Sequence, residues 1–252
     1  MTLPSPRRVL RALAAIATLL APGAFAADAP FGLVVHGDFK RMVHTGDTTG
    51  PVPLAALQQG AGRWGIGALA GLRGEIVQAD GRLLVSRGQD TQGRTEAPRD
   101  GDQAVLFAGA TVRGWADLTV PRDMDAAAFE AFVVEQARAR GIDVQQAFPF
   151  LVDGRYPQLV WHVVTGEAPA GPGAGPGGGH NGHANKRAGM RVFDEGDARV
   201  RLVAMYSGAA LEGVVSHPGE RLHLHYIDLA QARSGHVDRF AVAAGSLLRL
   251  PR

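Results

Sequence analysis

The chain has 252 residues, of which 46% are hydrophobic and 20% charged, and its net charge is +2 at neutral pH. This balance is typical of a globular protein with a sizeable core. Basic residues are scattered among acidic ones rather than clustered, so a nucleic-acid-binding function is not expected. There is no cysteine, which excludes disulfides and thiolate metal sites, so that only His, Asp or Glu would hold a metal.

The first residues have the pattern of an export signal. Three arginines, Arg7, Arg8 and Arg11, precede an apolar run over residues 12–21, and an Ala-Phe-Ala motif ends at Ala26. We predict a signal peptide over residues 1–26 and an exported protein, periplasmic or secreted. No membrane anchor is expected after cleavage, because the apolar run is shorter than the roughly 20 residues that span a bilayer. The pattern leaves Sec and twin-arginine export both open.

Short apolar runs separated by Gly, Asp and Pro predict strands over most of residues 31–120. The period then changes, and a helix is predicted from Asp125, as its N-cap, to Gly141, as its C-cap. One face of this helix carries the apolar residues Phe129, Phe132, Val133 and Ala137. Beyond it, residues 148–152 and 158–164 are predicted as strands around a turn at Asp153 and Gly154.

The order of these elements predicts a mixed α/β (α+β) fold with two strand-rich subdomains, mixed or antiparallel sheets and few helices. We place an N-terminal α/β subdomain at residues 27–165 and a strand-rich, metal-binding part at 190–252. Between them, residues 166–189 are dominated by Gly, Ala and Pro and are predicted to be a flexible insertion. Two histidines in that insertion, His180 and His183, are expected to be solvent-exposed rather than metal-binding.

Three histidines near the C-terminus are the candidate metal ligands. His223 and His225 are two residues apart in a predicted strand, so their side chains share one face. His236 follows a turn and is placed to supply a third nitrogen from the neighbouring antiparallel strand. Three neutral imidazoles leave zinc an open position, as in catalytic sites. On spacing alone, histidines that merely line an exposed strand and cap a turn remain an equal alternative.

Residues 223–240 resemble the hallmark segment of the bacterial acetolactate decarboxylases, in which His-x-His is followed ten residues later by Gly-His-Val and an apolar strand. Residues 62–84 and 147–160 resemble earlier segments of that family in the same order. The resemblance implies the family's fold, Zn²⁺ held by His223, His225 and His236, and conversion of 2-acetolactate to acetoin. It also places a glutamate near the metal at Glu75, our candidate general acid/base, for which a surface position is the alternative.

Two positions depart from the family pattern. An arginine suited to gripping a carboxylate is replaced by His162, and the sequence ends before the family's C-terminal glutamate. We predict that His162 and Arg155 bind substrate. Arg239 is a further candidate, and either arginine is otherwise a solvated surface charge.

The expected partner is a small 2-hydroxy-3-keto acid, and a homodimer is possible. The alternative function is a zinc-binding homologue with lost or altered catalysis, such as a small-acid binding protein. His36 and Asp38 are placed to hydrogen-bond locally and are assigned no catalytic role.

Overall fold

The structure is a computed structural model that describes residues 30–57, 59–166 and 189–252. Within these ranges, strands joined by short turns make up most of the chain, together with two α-helices and short 3-10 turns at Leu54–Ala56 and Ala70–Leu72. The helices are α1 (Phe39–Thr45) and α2 (Ala126–Arg138). The strands are β1 (Phe31–His36), β2 (Val52–Pro53), β3 (Arg63–Leu69), β4 (Gly74–Ala79), β5 (Arg82–Arg87), β6 (Thr95–Glu96), β7 (Gln103–Val112), β8 (Trp115–Thr119), β9 (Met124–Asp125), β10 (Phe148–Tyr156), β11 (Gln158–Val164), β12 (Met190–Asp194), β13 (Ala198–Tyr206), β14 (Leu222–Asp228), β15 (Arg233–Val242) and β16 (Leu247–Pro251).

The strands form two antiparallel sheets. The first has the order β1-β7-β3-β4-β5-β6, with the short β2 also paired to β7. The second has the order β12-β11-β15-β14-β13-β10-β16-β8, with β9 paired to β15. The end of β10 also approaches the residue that follows β15, because the Ala243 amide donates to the Arg155 carbonyl at 2.9 Å. The predicted strand-rich fold with few helices is confirmed.

The two sheets pack face to face through one apolar cluster. Trp64, Ile66 and Val77 of the first sheet meet Val203 and Met205 of the second. The far side of the second sheet is covered by α2, and the far side of the first sheet buries a separate small core around Phe107. The fold therefore has a sheet-on-sheet interior in which any polar group is shielded from water by both sheets.

The predicted helix is confirmed with its N-cap. The Asp125 side chain accepts the Ala128 amide at 2.8 Å, and the predicted apolar face is buried except for the partly buried Phe132. The helix ends at Arg138, and Gly141, with φ of 75°, lies beyond it in the left-handed turn that a glycine allows.

Helix α1 was not predicted from the sequence, which favoured a strand there. Asp38 is its N-cap, accepting the Arg41 amide at 3.1 Å, and Gly46 closes its C-terminus with φ of 67°. Asp38 thus has a capping role at the start of α1.

The predicted turn at Asp153 and Gly154 is wrong, because both residues lie inside β10. Asp153 is tied to Arg201 of β13 by two hydrogen bonds, the longer of 2.9 Å, so this acid pairs along a strand rather than marking its end. Gly154 gives room to Ser246, whose Oγ would lie 2.1 Å from a Cβ at this position. The chain instead turns at Pro157, and β10 and β11 are not neighbours in the sheet.

The chain passes from the first sheet to the second at residues 113–114, and strands from both sides of residues 166–189 share the second sheet. Strand β12 pairs with β11, with Val192 opposite His162. Residues 1–26 and all but the ends of 166–189 lie outside the described residues. In the part of the chain that is described, no helix combines the length and apolar character needed to cross a membrane.

Phe129 tests the packing of α2 on the second sheet. Its fully buried ring lies 5.8 Å from that of Phe240 and 6.5 Å from that of Phe150. We expect Phe129→Ala to lower the free energy of unfolding by about 3–5 kcal/mol, because it removes a buried aromatic ring and leaves a cavity. Chemical denaturation measures this loss. Glu135→Ala, on the exposed face of the same helix, is the control and should change stability by less than about 0.5 kcal/mol. Equal effects of the two substitutions would contradict the packing described.

Candidate metal centre

Three histidines stand side by side across three neighbouring strands of the second sheet. His225 of β14 is directly opposite His236 of β15, which is directly opposite His162 of β11. His223 lies two residues along β14 from His225 and therefore on the same face. Their ring centroids are 4.9 Å apart for His162 and His236, and 5.1 Å apart for His223 and His236. The structure thus brings the three predicted ligands together and adds His162 to them.

The strand that carries His236 is fixed from behind by Trp161. A Cβ at Gly235 would lie 2.4 Å from the Trp161 ring, so a side chain at that position would push β15 away from β11. Trp161 is itself held between a stacked Phe193, 4.0 Å away, and a hydrogen bond of 3.0 Å from its indole to Glu195. The glycine before His236 therefore sets how closely the two histidine strands approach.

A β-bulge follows His236 and presents a carboxylate to the histidines. The register shifts between Val160 and Trp161, which face Arg239 and Val237, so Asp238 is the extra residue. Asp238 Oδ1 lies 2.8 Å from His162 Nδ1 and 3.8 Å from His236 Nδ1. Since a carboxylate only accepts, the shorter contact makes His162 the donor through its Nδ1–H.

Glu75 reaches the histidines from the opposite sheet. It lies on β4 with Ala68 and Ser86 as its cross-strand neighbours, and it is only 3% exposed. Glu75 Oε1 accepts the Val164 amide at 3.3 Å and lies 3.9 Å from His162 Nε2, while Oε2 lies 3.8 Å from His225 Nε2. Burial raises the pKa of Glu75 to about 7, although the charge of His162 acts in the opposite direction.

The spacing of the His223 and His225 nitrogens suits a shared cation. Their Nε2 atoms are 3.3 Å apart. Two corners of a zinc tetrahedron with Zn–N bonds of about 2.0–2.1 Å are separated by roughly 3.3–3.4 Å. His223 Nδ1 lies 2.6 Å from the Val215 carbonyl and must donate to it, so the neutral ring has its lone pair on Nε2, towards His225.

The ligand imidazoles are held in the neutral form that metals require. Burial, followed by the charge of His217, lowers the pKa of His223 to about 3. Burial is also the main cause that lowers the pKa values of His225 and His236 well below the usual range. A metal at this centre would therefore not compete with protons at neutral pH.

His236 supplies the test of whether a metal fits. Both of its ring nitrogens are buried and have no hydrogen-bond partner among the described residues. A buried imidazole left without partners costs free energy unless an ion or water satisfies it. With the paired Nε2 atoms of His223 and His225 beside it, the three imidazoles are chemically suited to a divalent cation, although among the described residues only His162, His236 and Asp238 bring three ligand atoms within 4.8 Å of one another.

A second donor set overlaps with the first. His162, His236 and Asp238 offer ligand atoms that all lie within 4.8 Å of one another. The two sets share His236, and a neutral imidazole has a single lone pair, so the ring serves only one of them at a time. The Nδ1 of His162 is already engaged with Asp238, whereas the His223–His225 pair of the three-histidine set has the spacing of a tetrahedral edge. We therefore assign the three-histidine set as the better candidate.

The structure does not bring Arg155, the other predicted substrate-binding residue, to this cluster. Arg155 lies four residues along β10 from Leu151, which is level with His225, a displacement of about 13 Å along the strand. It forms an exposed ion pair of 2.6 Å with Asp197. Arg239 is exposed opposite Val160. His180 and His183 lie outside the described residues.

Two further side chains of the site were not found from the sequence. Asp238 follows His236 at strand spacing, which was a usable signal, but the bulge that aims it at His162 has no sequence signature. His217 has a ring centroid 5.4 Å from that of His236, although it comes from the segment before β14. Neither the spacing nor the flanking residues of His217 indicate this placement.

Fold and site together define an antiparallel two-sheet protein whose interior holds a cluster of imidazoles and a buried acid of the kind that binds a divalent metal. The chain belongs to the alpha-acetolactate decarboxylase family, whose family model matches residues 40–248. No curated protein matches the sequence significantly.

Solved structures share the fold at low sequence identity. Alpha-acetolactate decarboxylase from Bacillus subtilis strain 168 aligns with a TM-score of 0.65 and 18% identity, covering 87% of this chain and 85% of that one. Acetolactate decarboxylase from Bacillus subtilis subspecies spizizenii gives 0.64 and 14%, covering 87% and 86%. A Staphylococcus aureus protein of unknown function, described as similar to alpha-acetolactate decarboxylase, gives 0.59 and 15%, covering 86% and 84%.

The buried titratable groups predict how the stability of the metal-free protein depends on pH. His223, His225 and His236 have lowered pKa values in the folded state, so below about pH 6.5 the unfolded chain binds protons on them that the folded chain does not. Glu75 acts oppositely, because its raised pKa keeps a proton on the folded chain between 4.5 and about 7.

Near pH 5 the net difference is about two protons and near pH 6.5 it is below one, so the free energy of unfolding should rise with pH, by about 3 kcal/mol per unit at pH 5 and about 1 kcal/mol per unit at pH 6.5. Urea unfolding in the presence of a chelator at several pH values measures this slope. A flat or falling dependence across that window would show that these imidazoles are not buried in neutral form.

Proposed function

We propose that the protein is an exported, zinc-dependent carboxy-lyase that decarboxylates 2-acetolactate, or a closely related 2-hydroxy-3-keto acid, to acetoin or its counterpart. The observation that carries this proposal is the set of three neutral imidazoles with Nε2 atoms 3.3 Å apart in one pair and an unpartnered His236 beside them. Family membership supports the reaction class, and the amino-terminal sequence pattern supports export.

The reaction needs an electron sink and then a proton. Loss of carbon dioxide leaves an electron pair on the carbon that carried the carboxylate, and a zinc ion bound by His223, His225 and His236 would supply the positive charge that stabilises it on the neighbouring ketone oxygen. The resulting carbon then takes up one proton to give the neutral hydroxyketone.

Glu75 is the group placed to supply that proton. It is buried within 4 Å of both His225 and His162, and burial raises its pKa to about 7, so a substantial fraction carries a proton at neutral pH. A carboxyl group matched to the working pH is an efficient general acid. The hydrogen bond from the Val164 amide fixes Oε1 and thereby orients Oε2 towards His225.

His162 is proposed to bind the substrate at the position where the family pattern has an arginine. Asp238 accepts its Nδ1–H, so the neutral ring meets a ligand through the lone pair of Nε2, which accepts from a substrate hydroxyl and also faces Glu75. An imidazole gives a single contact in place of the two parallel hydrogen bonds of a guanidinium. We therefore expect weaker retention of the substrate than an arginine would give, without loss of the metal centre.

The first test is metal content and acetoin release measured on the same preparation. We expect one zinc per chain and acetoin formed from racemic acetolactate. His223→Ala should weaken zinc binding by more than the roughly 10–100-fold typical of outer-shell partners, because it removes a direct ligand. His44→Ala, which removes an exposed histidine from α1, is the matched control and should keep full zinc.

The outcomes separate the candidate functions. Stoichiometric zinc without acetoin would favour a metal-binding homologue of the same fold that binds small acids without turning them over. Full zinc and activity in His223→Ala would contradict the assignment of the metal ligands themselves.

Glu75→Gln tests the proton donor. The amide keeps the shape of the side chain but has no acidic proton, so turnover should fall by about 100- to 10,000-fold. Zinc content should stay unchanged, because Glu75 is not among the proposed ligands. Glu135→Gln on the exposed face of α2 is the control. Unchanged turnover in the Glu75 variant would remove this residue from the mechanism.

A further inference from the structure

The segment between β13 and β14, residues 207–221, contributes to the metal centre twice. The Val215 carbonyl of this segment accepts the Nδ1–H of His223 at 2.6 Å. Two residues later, His217 brings a further imidazole to the cluster, with its ring centroid 5.4 Å from that of His236 and 6.5 Å from that of His223. The segment that orients one proposed ligand therefore also places His217 against two of them.

Contacts with α1 hold His217 in place. Its ring lies 4.3 Å from that of Phe39, which is also 5.6 Å from the ring of His223. The Lys40 amide donates to the Gly213 carbonyl at 2.8 Å, and the Glu220 amide donates to the His217 carbonyl at 3.0 Å. These contacts hold the imidazole at the centre rather than leaving it on a free loop.

His217 lies on the side of the centre that opens to solvent. Glu75, His162 and His223 are each 4% exposed or less, and His225 is fully buried. His217 is half-buried, the side chain of His236 is 11% exposed, and that of Asp238 is 33% exposed. His217 is thus among the side chains of the centre that a small molecule arriving from solvent meets before the more deeply buried His223 and His225.

The charges at the centre decide which part of a hydroxy-keto acid faces this side. Glu75 lies at the buried end, where its carboxyl group and the sheet interior disfavour a second carboxylate. The carboxylate that leaves as carbon dioxide is best placed at the opposite, open end beside His217, where an imidazole N–H can donate to it and the product can escape. Asp238 also lies at this end, but its charge is engaged by the Nδ1–H of His162 at 2.8 Å.

We propose that His217 is a substrate-binding residue that donates a hydrogen bond to the carboxylate of the bound 2-hydroxy-3-keto acid. This assignment rests on the proposed function and identifies the open end of the same site. It does not make His217 a metal ligand, because three imidazoles and one open position complete the zinc tetrahedron.

The experiment uses the full zinc-loaded chain and a non-reacting probe, the analogue of acetolactate in which the ketone is reduced to a hydroxyl so that carbon dioxide is not lost. Calorimetry gives its dissociation constant. His217→Ala should weaken binding by about 10- to 100-fold, the range for one hydrogen bond to a charged group. His217→Gln, which retains an N–H donor, should recover part of the loss, and His44→Ala should bind as the unmodified chain does.

Measurements on the bound metal distinguish a substrate-binding role of His217 from a role as a metal ligand. Zinc content and the visible absorption spectrum of the cobalt-loaded chain should be the same with and without His217→Ala, in the absence of the probe. A changed cobalt spectrum or lowered zinc affinity would make His217 a metal ligand and overturn the proposal. Equal probe affinity in His217→Ala would also overturn it, and acetoin release by the unmodified chain would then show that the proposed function stands without it. An unmodified chain that neither binds the probe nor releases acetoin would overturn both.

Discussion

The candidate metal centre depends on the register of three antiparallel strands. His225, His236 and His162 are neighbours only because β14, β15 and β11 pair with those residues exactly level, and a slip of one residue would turn each side chain to the opposite face. The register is enforced by packing, since Val237 on the same strand is buried on the side that α2 covers. The burial of Val237 on one face of β15 therefore also determines that His236 points to the other face.

The acid comes from the other sheet, so the site exists only when the two sheets are docked. Glu75 and His225 share no hydrogen-bonded ladder, and their approach to 3.8 Å is set by the apolar contacts of Ile66 and Val77 with Val203. A direct polar link lies beside them, where the hydroxyl oxygens of Ser86 and Ser234 are 2.8 Å apart. Burial that stabilises the sandwich also raises the proton affinity of the carboxyl group and lowers that of the imidazoles.

The sequence predicts the parts of the site that follow from strand periodicity. His223 and His225 lie two residues apart, and the family resemblance links them to His236 and Glu75, all of which the structure brings together. What depends on tertiary geometry was missed: the bulge at Asp238, the return of His217 from a separate segment, and the capped helix α1. Asp153 and Gly154 failed as a turn signal because ion pairing with Arg201 and close packing on Ser246 keep both residues within a strand.

The ring of Trp161 gives the centre an intrinsic optical label. The chain has three tryptophans. Two of them, Trp64 and Trp115, pack edge to face 5.9 Å apart in the apolar cluster between the two sheets. Trp161 instead lies against the backbone of Gly235, directly behind the strand of His236, with the Arg233 guanidinium 5.1 Å from its ring. The fluorescence emission of Trp161 should therefore change when β15 is displaced. The emission of Trp64 and Trp115 should instead report on the packing of the two sheets.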